Sequence, residues 1–177
     1  MRSRRRSRRG AEIVEFTLVL LPLLGMICVI IDTGWAVFAK STLQRAVRVG
    51  VRTGVTITGT QATAAGTCLT DIVKSTVQAN SMGLLNGSPG LSKIKVNYLQ
   101  PPAPASSGAA IDVSTQADGN TSGNIMQVSV QDFSLIPLLP RFFDWKTAAD
   151  KSPLIIKVVS ADLIEPSRDP PCIGTAP

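Results

Sequence analysis

No histidine occurs anywhere in this chain, which removes the commonest general base and the commonest metal ligand. Cysteine is scarce: there are three, at positions 28, 68 and 172, and no Cys-x-x-Cys spacing that would argue for zinc or a redox dithiol. No glycine-rich phosphate loop, nucleophile–base pair or cluster of metal-ligating residues is visible. Carboxylates alone can do acid–base work, but nothing here pairs them. The sequence therefore predicts no catalytic residue, no metal and no cofactor, and a protein that is not an enzyme.

Acidic residues are missing from the first eleven positions, where Arg2, Arg4, Arg5, Arg6, Arg8 and Arg9 stand together. The rest of the chain balances twelve Lys/Arg against twelve Asp/Glu, so the formal net charge of +6 belongs to this leader. An arginine run can bind nucleic acid. Beside an apolar stretch it instead sets membrane orientation, and no nucleic-acid partner is expected. The apolar stretch follows at once. Phe16 to Ile31 contains no charged residue, and with its flanks the segment runs from Ile13 to Phe38. About 20 apolar residues are needed to cross a bilayer as a helix. Trp35 and Phe38 suit the far interface, and the arginines predict a cytoplasmic N-terminus.

Three residues disturb the span. Pro22 removes a backbone donor. Asp32 lies near the far end, within reach of headgroups. Glu15 lies at the start, where a carboxylate either snorkels or awaits a cationic partner.

The stretch Arg8-Arg9-Gly10-Ala11-Glu12-Ile13-Val14-Glu15-Phe16 resembles a type IV prepilin processing site. In that family a basic leader ends in Gly and a membrane-embedded prepilin peptidase cuts after it. The fifth residue of the mature chain is Glu, and an aromatic residue follows. Gly10, Ala11, Glu15 and Phe16 stand at those positions. The run continues through Leu21-Pro22-Leu23-Leu24 to Leu43, Gln44, Ala46, Arg48, Gly50 and Arg52. Over residues 1 to 55 it is similar to the TadE-like minor pilins of tight-adherence (Flp-type) pili, with the TadF-like group as a sister assignment.

The resemblance implies a subunit of the bacterial inner membrane, cleaved after Gly10 and later used in a pilus. Its partners would be prepilin peptidase, other minor pilins and the major pilin, the assembly platform and membrane lipid. Glu15 would then have an assembly role, because four helical residues span only about 6 Å. The carboxylate of one subunit reaches the new amine of a neighbour's Ala11, offsetting the desolvation of both charges. Two alternatives stand beside this: an uncleaved single-pass scaffold of a pilus or secretion machine, and a secreted protein cut before Lys40.

The remainder predicts an α+β head beyond a transmembrane segment at 11–39. Residues 40–57 continue as an amphipathic helix, with Leu43, Ala46, Val47, Gly50 and Val51 on one face and Arg45, Arg48 and Arg52 on the other. Residues 56–66 read as a connection. A second helix fits 68–82, with a stripe of Leu69, Ile72, Val73, Thr76 and Val77. Period-2 alternation predicts strands near 93–98, 125–131 and 154–160, with a weaker one at 111–113, in a three- to four-stranded antiparallel sheet. Pro101 to Asn124 reads as a loop, and Asn120-Thr121-Ser122 matches a glycosylation sequon.

Two features remain. Leu135 to Trp145 carries Leu135, Leu138, Leu139, Phe142, Phe143 and Trp145 without a clear period. It is either a loop folded over the core or an exposed interface for another subunit. Cys68 and Cys172, in a domain outside the cytosol, predict one disulfide. Closing a loop of about 100 residues contributes up to about 4.7 kcal/mol in the chain-entropy model and would pin the Pro-rich tail against the second helix.

Overall fold

A computed structural model describes residues 6–102, 108–136, 153–165 and 169–174, with side chains from Gly10 onward. The chain divides into two units, Met1–Val37 with Leu135–Leu154, and Phe38–Ser134 with Ile155–Pro177.

The first unit is, among its described residues, mostly helix. Helix α1 (Arg6–Thr56) is continuous and runs through Pro22. It also runs through Gly10 and Lys40, so the described end of the expected leader, the span and the amphipathic helix are stretches of one element. Apolar side chains from Ile13 to Phe38 stand out from the helix, with Leu18 at 70% exposure. Hydroxyls within this stretch bond their own helix: Thr17 donates to the Ile13 carbonyl at 3.0 Å and Thr33 to the Val29 carbonyl at 2.7 Å. That leaves little unsatisfied polarity for a lipid environment.

In the second unit the same helix changes character. Ala39, Leu43, Ala46, Val47, Val51 and Val55 are buried at helical spacing. Gly50 and Gly54 let this face come close to its neighbours. A Cβ on Gly54 would lie 2.8 Å from Val73 Cγ2 and 2.5 Å from Met126 Sδ, and one on Gly50 would collide with Val77 Cγ2. The notch thus seats α1 on helix α3 (Leu69–Asn80) and on strand β3 (Ile125–Leu135). Leu69, Val73 and Val77 form the buried stripe of α3.

Two short helices depart from the sequence expectation. Residues 56–66 contain α2 (Gly59–Ala65), held by a capping box in which Thr58 and Gln61 bond each other's backbone, and ended by Gly66 at φ 65°. Helix α4 (Gly87–Leu91) precedes the sheet. Helix α3 stops at Asn80, short of the expected 82, and Met82 and Gly83 turn the chain at positive φ.

The sheet has the order β2-β1-β3-β4, with β1 at Ile94–Gln100, β2 at Ile111–Asp112 and β4 at Leu154–Leu163. Strand β1 pairs antiparallel with β2 and with β3, Val96 facing Val128. Gly123 and Asn124, at the start of β3, exchange backbone hydrogen bonds with Ile164, just past β4, so those strands also run antiparallel. Ile94, Val96 and Tyr98 meet Met126, Val128 and Val130 on the buried face. Each such side chain contributes about 1.5–3 kcal/mol on burial.

Strands β1, β3 and β4 all exceed the spans expected from alternation. In β3 the reason is visible. Asp132 adopts φ 57° and is exposed, so the phase slips and Phe133 turns inward instead. Lys93 sits with its ammonium 5.6 Å from the Phe133 ring centroid.

Candidate functional site

Gly10, Ala11, Glu15 and Phe16 all lie on the first turns of α1, and all are exposed. A Cβ on Gly10 would meet nothing within 4 Å. Ala11 and Glu15 are one helical turn apart on the same face, with about 6 Å of rise between them. Glu15 is exposed there. Beyond it, the stretch from Gly10 to Thr56 includes an 18-residue window of mean hydropathy 2.6 in which no residue is buried. Among the described residues it is the one helix long and apolar enough to cross a membrane. That is consistent with a single-pass membrane protein.

The second feature is a C-terminal strap on the head. Cys68 and Cys172 are joined by a disulfide. Cys68 is the N-cap residue of α3, yet its side chain makes no capping hydrogen bond. The free N–H groups of Leu69 and Thr70 instead donate to the carbonyls of Cys172 and Ile173, at 2.8 and 2.9 Å. Gly174, at φ 91°, lets the strap pass: a Cβ there would lie 2.8 Å from that of Cys68. Upstream, the Gly59 N–H at the start of α2 donates to the Asp169 carbonyl at 3.0 Å. The strap therefore caps α3 with backbone carbonyls in place of a side chain, and adds one backbone carbonyl to α2 beside its Thr58 capping box.

Asn120 completes the strap. It is 2% exposed, and its amide nitrogen donates to the Pro171 carbonyl at 2.5 Å. The sequon asparagine is therefore occupied inside the folded head. Nearby, Asp112 Oδ1 accepts from the Ser114 N–H at 2.9 Å and from the Ser114 hydroxyl, while Asn97 donates to Oδ2 at 3.3 Å. The Ser114 hydroxyl, then its N–H, hold the Asp112 carboxyl below its ordinary range. Ser114 Oγ also accepts from the buried Tyr98 N–H, tying this turn to β1.

Of the expected interface residues, Leu135 is half-buried at the end of β3. Leu138, Leu139, Phe142, Phe143 and Trp145 lie outside the described residues. Among the described residues, no group of three or more His, Cys, Asp or Glu side chains could hold a metal ion.

The helix caps provided by the strap depend on main-chain carbonyls of a Pro-rich tail, which carry no side-chain signature in the sequence. Asn120 reads as a sequon in the sequence and is an anchor in the structure.

Compared with known families, residues 10–52 match the model of a family described as TadE-like protein. The match supports the TadE-like reading over those residues and lends nothing to the TadF-like one. No curated protein and no solved structure matches the chain.

Proposed function

The chain carries a TadE-like segment at residues 10–52, and from that premise we propose that it is a minor pilin-like subunit of a tight-adherence type IV pilus. The observation that carries this reading is that the family match opens at Gly10 and takes in the whole apolar stretch of α1. In this reading the arginine-rich leader stays cytoplasmic, the head is exported, and prepilin peptidase cuts between Gly10 and Ala11. The cut frees an amine one helical turn before Glu15. Among packed α1 helices, Glu15 then pairs with the Ala11 amine of a neighbouring subunit. The carboxylate acts as a register check and catalyses nothing. Other minor pilins, the major pilin and the assembly platform are the partners this implies.

Ala39, which precedes the alternative cut at Lys40, is fully buried in the folded head.

The test is the N-terminus of the protein purified from its native membrane, read by intact mass and N-terminal peptide mapping. A start at Ala11 is expected. A start at Met1 would make the chain an uncleaved scaffold, and a start at Lys40 a secreted protein. Given a start at Ala11, Glu15→Ala is expected to leave membrane insertion intact and to impair pilus assembly. Normal assembly by that variant would remove the docking role.

A further inference from the structure

The Cys68–Cys172 bond joins two unlike positions. Cys172 is exposed on the strap, and Cys68 is half-buried at the start of α3. A cleft of about 540 Å³ opens between the first turns of α2 and the strap, and Cys172 forms part of its wall beside Thr60, Thr63 and Asp169. The strap itself lies over Cys68: a Cβ on Gly174 would stand 2.8 Å from that of Cys68. An incoming group therefore has room to reach Cys172, and meets the strap's own backbone at Cys68.

The two sulfurs also differ as leaving groups. Cys68 is the N-cap residue of α3, a helix of 12 residues. An N-cap side chain ordinarily accepts from the first amides. Here the carbonyls of Cys172 and Ile173 take the Leu69 and Thr70 N–H groups instead. Breaking the disulfide untethers those carbonyls and leaves a sulfur anion at the N-cap. The anion sits where two released N–H groups and the positive end of the helix favour it. Asp71 works against that charge, since its carboxylate lies 3.1 Å from the same Gly174 Cβ position, but it removes neither donor. Cys172 follows Pro170 and Pro171, which have no N–H to offer a thiolate. A thiolate that is better stabilised leaves faster.

We infer that this disulfide is an exchange site for a dithiol oxidoreductase, which bonds to Cys172 and expels Cys68, so that the strap is a latch opened and closed by thiol chemistry. A thiolate of the oxidoreductase forms a bond to Cys172 Sγ as the Cys68–Cys172 bond breaks, and the electron pair leaves on Cys68 Sγ. The second thiolate of the oxidoreductase then bonds to the first, and that electron pair leaves on Cys172 Sγ. Two electrons pass to the head, its two sulfurs take up the two protons the dithiol gave up, and the oxidoreductase ends as a disulfide. Closing is the reverse, with the Cys68 thiolate attacking a mixed disulfide carried by Cys172. The partner is thus held by the strap and never by α3, whose buried stripe stays in the head throughout. The inference does not rest on cleavage at Gly10, since both cysteines lie in the head.

The test uses the full chain with Cys28→Ser, which removes the one free cysteine. The chain is oxidised and folded in phosphatidylcholine vesicles. The probe is a reduced dithiol oxidoreductase whose second active-site cysteine is replaced by serine, so that the mixed disulfide persists. Acid quenching at early times and peptide mapping locate it. At least about tenfold more probe is expected on Cys172 than on Cys68. The same reaction on the chain unfolded in urea is expected to lose that preference, because the cleft and α3 are then gone. A second chain adds Cys172→Ser, with folding checked by circular dichroism. Its Cys68 is expected to reach half its maximal rate of alkylation by iodoacetamide below the ordinary thiol value of about 8.5.

Four outcomes overturn the inference: a folded chain that yields no mixed disulfide, probe found equally or mainly on Cys68, a preference for Cys172 that survives in urea, or a folded Cys172→Ser chain whose Cys68 titrates at or above the ordinary value. Should Cys172→Ser unfold the head, the mapping on the disulfide-bonded chain decides alone.

Discussion

Asn120 and Pro171, 51 positions apart, meet inside the head: the Asn120 amide donates to the Pro171 carbonyl at 2.5 Å, and the asparagine is 2% exposed. A single side chain thus connects the loop before β3 to the C-terminal strap. Asn120→Ala removes the donor and leaves a buried carbonyl to find another. The expected cost is about 1–3 kcal/mol. It should appear as a lowered midpoint in thermal or urea unfolding of the full chain, and an unchanged midpoint would mean the strap is held without Asn120.

The disulfide and the backbone caps act on the same joint. Reduction with a dithiol, or Cys172→Ser, is expected to destabilise the head by about 2–5 kcal/mol. The local sign should be faster hydrogen exchange at the Leu69 and Thr70 amides, which donate to Cys172 and Ile173. Unchanged exchange there would show that the strap stays docked without the covalent bond.

The notch in α1 gives a steric prediction. Gly54→Ala puts a methyl 2.5 Å from Met126 Sδ and 2.8 Å from Val73 Cγ2. Methionine yields more easily than a β-branched neighbour, so the cost is about 1–3 kcal/mol, the usual range for overpacking. Gly50→Ala, which drives into Val77, is expected to cost at least as much. Chemical unfolding of the two variants measures both, and an Ala at either site without loss of stability would disprove the close packing.

These glycines show why parts of the fold were readable beforehand and others were not. The periodic elements were: α3 by its Leu69-Val73-Val77 stripe, and β1 and the first half of β3 by alternation. Helix α2 was missed because only Ala62 among its seven residues is buried, so no apolar period marks it. Its signal is local, the Thr58-x-x-Gln61 capping box within a Thr/Gly/Ala-rich run. Helix α4 reads GSPGL, a composition that argues against a helix. The end of β3 was lost at Asp132, where a single residue of positive φ reverses the alternation. At the candidate site, Gly10, Ala11, Glu15 and Phe16 were legible as a motif, and the Cys68–Cys172 pairing from cysteine count and compartment. The strap's helix caps were invisible, because any residue can offer a carbonyl.

Acid gives a further prediction. Asp112 has a depressed folded pKa, because Ser114 donates to its carboxylate through both hydroxyl and N–H. Its stabilising contribution is therefore complete above the unfolded value of about 3.9. It is lost as pH falls through the folded value. Asp112→Asn should lack this component. The stability difference between wild type and variant is expected to shrink as pH falls below about 4, and a difference that stays constant through that range would contradict the assignment.

The strap also sets a clock on folding. The carbonyls that cap α3 belong to residues about 100 positions downstream, and the partner of Cys68 lies 104 residues away. A ribosome adding about 5–20 residues per second needs roughly 5–20 s to supply them. Throughout that interval α3 exists with its first amides bare and its cysteine a free thiol. The newborn head is thus a substrate for chaperones, proteases and mispairing for seconds after its helices have been made, and its maturation is a late event governed by the arrival of its tail.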